Sequence, residues 1–544
     1  MDETTTTKQA EAGITAHVDA AGEPNPLSKS HITHDALLAT ADEHNMTFWQ
    51  AIKRYRKACF WSAMVSLTII MDGYDTALLG SLQAFPAFQY QFGHEVGTTG
   101  KYQVPARWQV ALGMTNPVGN IVGIFINAFA TERFGHKKSL LATLVFLTGV
   151  IFVCFFATSI EMLFAGELLC GLCWGVFTTM APAFASEVCP TVLRSYFETF
   201  VVLCWGIGQF ISFGVLAGFS GKPMSDHYSW RIPIAIQWIW PVIIFSVVLF
   251  APESPWWLVR RDRLEEAEQS LRRLTDDDPA TVRQSVSLMV HTNKLEQAMC
   301  AGTSFKDCFV GINLRRTEIA CMIWSIQQWG SFVITGYATY FYEQAGLPTV
   351  EAFHMSVGQG GLHFVCTLFS FWLTGRVGRR TLTLWGLAGM AMCMFIIGFI
   401  SLAHQSSAQG YAESAVYLLW YCVYELTIGP VAYIIVGEIS STRLRSQTVG
   451  LARNAYNLVT IINTVVGPYI LNPTEGNWKG KAGFLTGGII LICIVWSFFR
   501  LPETRGRTFE EIDLLFAEKI SARKFKTCEI DVANGTAAET EAAS

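Results

Sequence analysis

The sequence predicts an all-α integral membrane protein: twelve transmembrane helices in two six-helix bundles, joined by a cytosolic helical linker. Three observations predict it. Mean hydropathy is +0.33 and only 15% of the 544 residues are charged, against about 25% in soluble domains. Apolar runs of ~20 residues recur, each long enough to cross a bilayer as a helix. One set of charged signatures occurs in both halves. Glu132-Arg133, Glu187 with Arg194, and Pro252-Glu253 in the first half match Arg376 with Arg379, Glu438 with Arg445, and Pro502-Glu503 in the second. Glu187 precedes Pro252 by 65 residues and Glu438 precedes Pro502 by 64. That duplicated spacing marks two copies of one helical unit.

The first six spans are placed near residues 58–80, 108–131, 138–158, 161–183, 197–219 and 231–251. The other six are placed near 317–341, 354–375, 381–402, 414–437, 448–471 and 482–501. The polar tail 1–57 precedes the first bundle (58–251), and the tail 502–544 follows the second (317–501). Between the bundles, the linker 252–316 contains Leu264, Ala267, Leu271 and Leu274 at helical spacing, an apolar stripe that predicts a surface helix.

Basic residues concentrate in the loops after the even-numbered spans, whereas the loops after odd-numbered spans carry Lys101, Arg107, Lys222, Arg231, Lys479 and Lys481. The positive-inside rule then puts both termini and the linker in the cytosol. The sequons at Asn45 and Asn534 fall in cytosolic tails and should carry no glycan. Residues 1–50 hold no apolar run that would serve as a signal peptide. The tails read as disordered, and lysines there such as Lys8 and Lys29 are candidate contacts for the ubiquitin machinery.

Net charge is −4, too small to imply a nucleic-acid partner. Most of the 14 cysteines sit inside apolar segments, where they read as packing residues. Cys170 and Cys173 spell a CxxC, but within a hydrophobic helix and without the βαβ context of a redox motif. No P-loop, metal spacing or nucleophile–base pair occurs, so neither an enzyme nor an ATP-driven pump is expected. No cofactor is expected beyond a proton gradient.

The inner-loop charges (Glu132, Arg133, Glu187, Arg194, Arg376, Arg379, Glu438, Arg445) suggest an inner gate. Opposite charges at the cytosolic ends of neighbouring helices can form ion pairs between the bundles, which break when the halves rock. Simple positive-inside anchoring is the plainer alternative.

These motifs resemble the sugar-porter branch of the major facilitator superfamily, over roughly residues 45–515. Several stretches are most similar to fungal α-glucoside (maltose-type) permeases: Met71-Asp72-Gly73-Tyr74-Asp75, Ala185-Ser186-Glu187-Val188-Cys189-Pro190, Gly336-Tyr337-Ala338-Thr339-Tyr340-Phe341, and Ile428-Gly429-Pro430-Val431-Ala432-Tyr433. The resemblance implies a sugar transporter of the plasma membrane that works by alternating access.

Charges at membrane depth mark functional sites by default. Asp72 and Asp75 stand three residues apart in span 1, near one face. Depth counting sets Glu167 of span 4 level with Asp75. Hexose and xylose porters carry an arginine where Glu167 stands, so here the expected partner of the span 1 aspartate is a second acid. Two carboxylates close together in low dielectric cannot both ionise cheaply. Asp75, with Glu167 or Asp72, is therefore the expected proton-carrying site. Alternatively, Asp72 only shapes a wet vestibule. Arg453 in span 11 counts to the inner third of the membrane, where it either forms a charge pair within the bundle or snorkels to the interface. Glu425 precedes Gly429-Pro430 in span 10, at a break near the central cavity. His363 reads as structural.

Sugar hydroxyls call for amides around an aromatic platform. Gln209, Gln327, Gln328, Asn454 and Asn457 are candidates, each with helix–helix hydrogen bonding as the alternative. By resemblance, Tyr433 holds the place of the family's stacking aromatic. Val333 replaces an asparagine of hexose porters, which argues against simple hexose specificity. The expected function is proton-coupled import of an α-glucoside such as maltose. A facilitator or symporter for another sugar (hexose, pentose or β-disaccharide) is the rival within the class, and a non-transporting sugar sensor the rival outside it.

Overall fold

In this computed structural model the described residues are 48–95, 102–189, 191–276, 278–300, 305–331, 337–403, 407–441, 444–473, 475–505, 507, 509–525, 528–531 and 536–539. Lys8, Lys29, Asn45, Val333 and Asn534 lie outside them, as do the side chains of Arg194 and Arg445.

The first half contains α1 (Phe48–Arg54), α2 (Arg56–Ser66), α3 (Thr68–Leu82), α4 (Pro86–Phe92), α5 (Ala106–Phe134), α6 (His136–Phe155), α7 (Ile160–Val188), α8 (Thr191–Phe219), α9 (Tyr228–Ile236) and α10 (Ile239–Val248). The linker holds α11 (Pro255–Arg260), α12 (Leu264–Leu274) and α13 (Pro279–Cys300). The second half contains α14 (Ile312–Gly330), α15 (Ala338–Gln344), α16 (Thr349–Arg376), α17 (Arg379–Ile400), α18 (Ser407–Leu426), α19 (Ile428–Ile439), α20 (Arg445–Leu471) and α21 (Ala482–Arg500). Short antiparallel hairpins pair His94–Glu95 with Tyr102–Gln103, and Cys528–Asp531 with Thr536–Glu539.

Among the described residues, eight segments are long and apolar enough to cross a membrane. The expected spans 1, 7, 8 and 11 are missing from those eight. Span 1 breaks between α2 and α3, and span 7 between α14 and α15. These four spans also carry Asp72, Asp75, Gln327, His363 and Arg453, and their polarity keeps them below the hydropathy of the other eight.

Small residues set the closest crossings. A β-carbon on Gly119 would lie 2.7 Å from Gly171, and one on Gly123 would lie 2.1 Å from the Leu172 carbonyl oxygen. α5 and α7 thus cross backbone to backbone. α3 and α8 cross in the same way at Gly73 and Gly208, where a β-carbon would meet a facing carbonyl oxygen at 2.1 Å.

The repeated signatures build matching corners. The Glu253 carboxylate accepts from the backbone N–H of His136 at 2.9 Å and caps α6. Glu503 does the same for Arg379 N–H at 2.7 Å and caps α17. An anion is well placed at a helix N-terminus, where free N–H groups and the helix dipole converge.

Two expectations change. Leu264 is 40% exposed, and the buried face of α12 consists of Ala267, Ser270, Leu271 and Leu274. Ser270 turns inward because its hydroxyl donates to the Glu253 carbonyl. The C-terminal tail is also partly folded. α22 (Phe509–Ala517) buries Ile512, Leu515 and Phe516 together with Phe525 and Cys528.

Candidate functional site

The break after Ser66 is covered by hydroxyls, with Thr68 Oγ1 donating to the Val65 carbonyl at 2.7 Å. Past it, α3 places Asp72 and Asp75 one turn apart at mid-membrane. Both are buried, at 6% and 3% exposure, yet they meet different partners.

Asp75 faces α7 and the α9–α10 junction. Trp174 Nε1 donates to Oδ2 at 2.8 Å and Gln237 Nε2 donates to Oδ1 at 2.9 Å. The Glu167 carboxyl, 3% exposed, is close enough to interact electrostatically with the same aspartate. Its Oε2 is buried without a hydrogen-bond partner, and the Cys154 thiol is a further neighbour of the carboxyl. Two neighbouring carboxyls out of water cannot both ionise cheaply. Asp75 accepts an N–H on each of its oxygens. Both acids weighed as partners for Asp75 lie close enough to interact with it.

Asp72 faces the other way. Asn116 Nδ2 donates to Oδ1 at 3.4 Å, and the Trp205 side chain also hydrogen-bonds the carboxylate. Its charge partner comes from the opposite half, where the Arg453 guanidinium lies close enough for the two charges to interact. Arg453 is engaged chiefly by Tyr433 and Tyr456 of its own half, and its charge is also felt by Asp72 across the seam. The guanidinium stacks 4.6 Å from the Tyr456 ring centroid and hydrogen-bonds Tyr433.

Tyr433 is 44% exposed, so its ring is not packed into the core. Trp324 meets it edge-on, 5.5 Å between centroids and 72° between planes. The Trp324 indole N–H is buried and without a partner. Tyr433 reaches this place because the helix breaks at Thr427, between α18 and α19. Gln327 supports the break, its Nε2 donating to the Gly429 carbonyl at 3.0 Å. That donor is structural, and Oε1 remains open and buried. The Gln328 side chain hydrogen-bonds Tyr456, and its backbone carbonyl accepts from Asn463 Nδ2 at 2.8 Å. Asn457 is buried with Nδ2 unsatisfied, whereas Asn454 is exposed and Gln209 half-buried. The candidate amides thus divide into buried groups near Tyr433 and outlying ones.

A second ionic contact stands at the seam. His363 Nδ1 lies 3.0 Å from Glu425 Oε1 and 3.1 Å from the Tyr421 hydroxyl. The ring presses on α8, edge-on to Trp205 at 6.2 Å. Since Trp205 also bonds Asp72, the two acidic sites are joined across the halves by one indole.

The inner charges depart from the expected gate. Glu187 binds Ser254 and Arg260, and Glu438 binds Thr504 at 2.5 Å and Arg379 at 2.9 Å. Both networks stay within their own half or the adjoining linker. Each carboxylate is consumed by the hydroxyl of its own half's Pro-Glu-Ser/Thr motif. Arg133 and Arg376 stack on Phe134 and Trp372, while the Glu132 carbonyl accepts from Trp257 Nε1 at 3.1 Å. Contacts between the halves occur at the other end instead. Ser81 and Thr339 hydroxyls lie 3.0 Å apart, and Tyr340 donates to Gln103 Oε1 at 3.1 Å.

Several residues around the site were not anticipated from sequence. Trp174 lies two turns after Glu167 and Trp324 one turn before Gln327, so both spacings were readable. Gln237, Asn116 and Asn463 come from other helices and had no such signal.

Comparison with known proteins adds family context. The family model described as "Sugar (and other) transporter" matches residues 61–516. A general α-glucoside permease of Saccharomyces cerevisiae is 39% identical over 512 residues, covering 93% of this chain and 83% of that protein. A maltose permease of the same yeast is 39% identical over 502 residues, covering 91% and 82%. Among solved structures, the inward-open xylose transporter XylE of E. coli superposes with a TM-score of 0.67 at 21% identity, covering 84% of this chain and 99% of that one.

Proposed function

This chain belongs to the sugar transporter family, and we propose that it imports α-glucosides such as maltose together with protons, by alternating access. Its likeness to α-glucoside and maltose permeases along nearly the whole chain supports the substrate class. The neighbouring buried carboxyls of Asp75 and Glu167 support the proton-coupled reading. They put an exchangeable proton at mid-membrane, where a single net charge is gained or lost.

In this reading the outer-facing protein loads a proton onto the pair and sugar onto the Tyr433 cavity. Tyr433 stacks on the apolar face of a glucose ring. Gln327 Oε1, Gln328, Asn457 and the Trp324 N–H meet its hydroxyls, and Asn454 and Gln209 contribute at the margins. Rocking of the halves exposes the pair inward, where the proton leaves. Asp72 and Arg453 attract one another across the seam and so favour the closed arrangement. The basic-residue asymmetry supports cytosolic termini in the plasma membrane.

The test is uptake of labelled maltose, other α-glucosides, hexoses, pentoses and β-disaccharides in a transporter-null yeast, with external pH recorded. Sugar-dependent alkalinisation with an α-glucoside preference is expected. Uptake without proton movement would make the protein a facilitator, and neither signal would favour a sensor.

A further inference from the structure

Away from the transport pathway, a cavity of about 640 Å³ lies between the start of α2 and the linker helix α12, lined by Arg56, Lys57, Phe60, Trp61, Arg272 and Arg273. That volume is in the range of small-ligand sites. Its cations come from segments more than 200 residues apart in sequence, so the fold, and not a local basic run, gathers them.

Two of these cations already hold a carboxylate of the chain itself. The Asp276 carboxylate is gripped on both oxygens, by Arg56 Nε at 2.9 Å and Lys57 Nζ at 2.5 Å. The Lys57 ammonium, then the Arg56 guanidinium, hold that carboxyl below its usual range. The other two cations are less well satisfied. Arg272 is 3.6 Å from Glu268, which Arg283 contacts more closely at 2.9 Å. Arg273 donates to the Phe250 carbonyl, and nearby Lys137 donates to the Leu249 carbonyl at 2.7 Å. Four lining cations therefore meet two carboxylates, Asp276 and Glu268, and positive charge remains over.

One turn after Arg56 and Lys57 on the same helix, the lining turns apolar. Phe60 is 50% exposed and packs edge-on against Trp61, 5.2 Å between centroids. Both sit at the first turns of span 1, where the bilayer interface begins. Interfacial aromatics beside clustered Lys and Arg fit a molecule with an anionic head and an apolar body. A soluble anion has no use for the aromatic wall.

We propose that this cavity binds the headgroup of an anionic phospholipid, its phosphate among Arg56, Lys57, Arg272 and Arg273 and its glycerol and upper acyl chain along Phe60 and Trp61. Such a lipid would tie the linker to span 1 at the membrane surface.

The purified full chain is tested by native mass spectrometry with phosphatidylserine, with phosphatidylcholine of the same acyl chains, and with the chainless headgroup glycerophosphoserine. Phosphatidylserine should be retained over phosphatidylcholine, and glycerophosphoserine should compete weakly. Arg272→Gln with Arg273→Gln should weaken phosphatidylserine binding by about fivefold per cation removed. Asp276→Asn, which removes the competing carboxylate, should strengthen it. Lys479→Gln with Lys481→Gln, at the other end of the molecule, should leave it unchanged. No preference for phosphatidylserine, or equal losses in the two double variants, overturns the proposal. Glycerophosphoserine binding as tightly as the lipid also overturns it, by making this a soluble-anion site. If the arginine variant fails to fold, an unchanged or weakened Asp276→Asn is decisive against it.

Discussion

The imidazole of His363 in the second half lies directly on the backbone of Gly206 in the first, so close that a β-carbon there would stand 2.0 Å from Cδ2 and 2.2 Å from Nε2. The ring has little freedom to retreat, because Glu425 holds its other nitrogen at 3.0 Å. Overpacking of this kind costs about 1–3 kcal/mol. Gly206→Ala should therefore lower uptake by roughly tenfold at normal surface expression. Adding His363→Ala should restore part of it, which a double-mutant cycle of uptake rates would detect.

Asp75→Asn removes the carboxyl that neighbours Glu167 but leaves a similar shape among Trp174 and Gln237. Accumulation against a gradient should be lost, while sugar counterflow stays within about threefold of wild type, since exchange needs no net proton movement. Glu167→Gln should behave alike. Counterflow in both variants should also lose its dependence on external pH. Accumulation by Asp75→Asn would sink the proton assignment.

Arg453→Met leaves Asp72 without its charge partner across the seam. Coupling between neighbouring groups of this kind is about 0.5–3 kcal/mol, so transport should fall roughly tenfold. Asp72→Asn combined with Arg453→Met should recover more activity than either change alone. Equal defects in all three variants would mean that the two charges act independently.

Tyr433→Ala removes the platform and its hydrogen bond to Arg453. KM for sugar should rise roughly tenfold, equivalent to about 1.4 kcal/mol. Tyr433→Trp should keep KM within about threefold by preserving a stacking surface. KM is read from initial uptake rates.

Glu253→Gln and Glu503→Gln each weaken an anionic helix cap, at α6 and α17 respectively. Loss of such a cap costs about 1 kcal/mol. Each variant should lower the apparent Tm of the detergent-purified protein by a few degrees without changing KM. A changed KM with unchanged Tm would argue for a gating role instead.

Much of the site was legible one helix at a time. Asp72, Asp75 and Glu167 stood out because a charge is rare in an apolar run, and depth counting set Glu167 against Asp75. Pairings between helices were harder. Asp72 and Asp75 are three residues apart, which suggested a shared environment. The structure separates them, because α3 is wedged between α7 on one side and α8 with the opposite half on the other. Gln327 was read as a sugar ligand, yet its N–H₂ is engaged by the carbonyl freed at the α18–α19 break. The gate charges were read as bonds between bundles, and the hydroxyls of Ser254 and Thr504 draw them inward to each half's own corner.

The membrane class, the two-fold repeat and the residues too costly to bury without purpose could all be read along the chain. Those properties follow from the hydropathy of single segments and from the solvation cost of single side chains. Which side chains neighbour one another, Glu167 and Asp75, Arg453 and Tyr433, His363 and Gly206, emerged from the folded arrangement. Such contacts depend on how two bundles rotate and pack against each other. That is a many-helix energy minimum set by small residues at the crossings, and no single segment contains it.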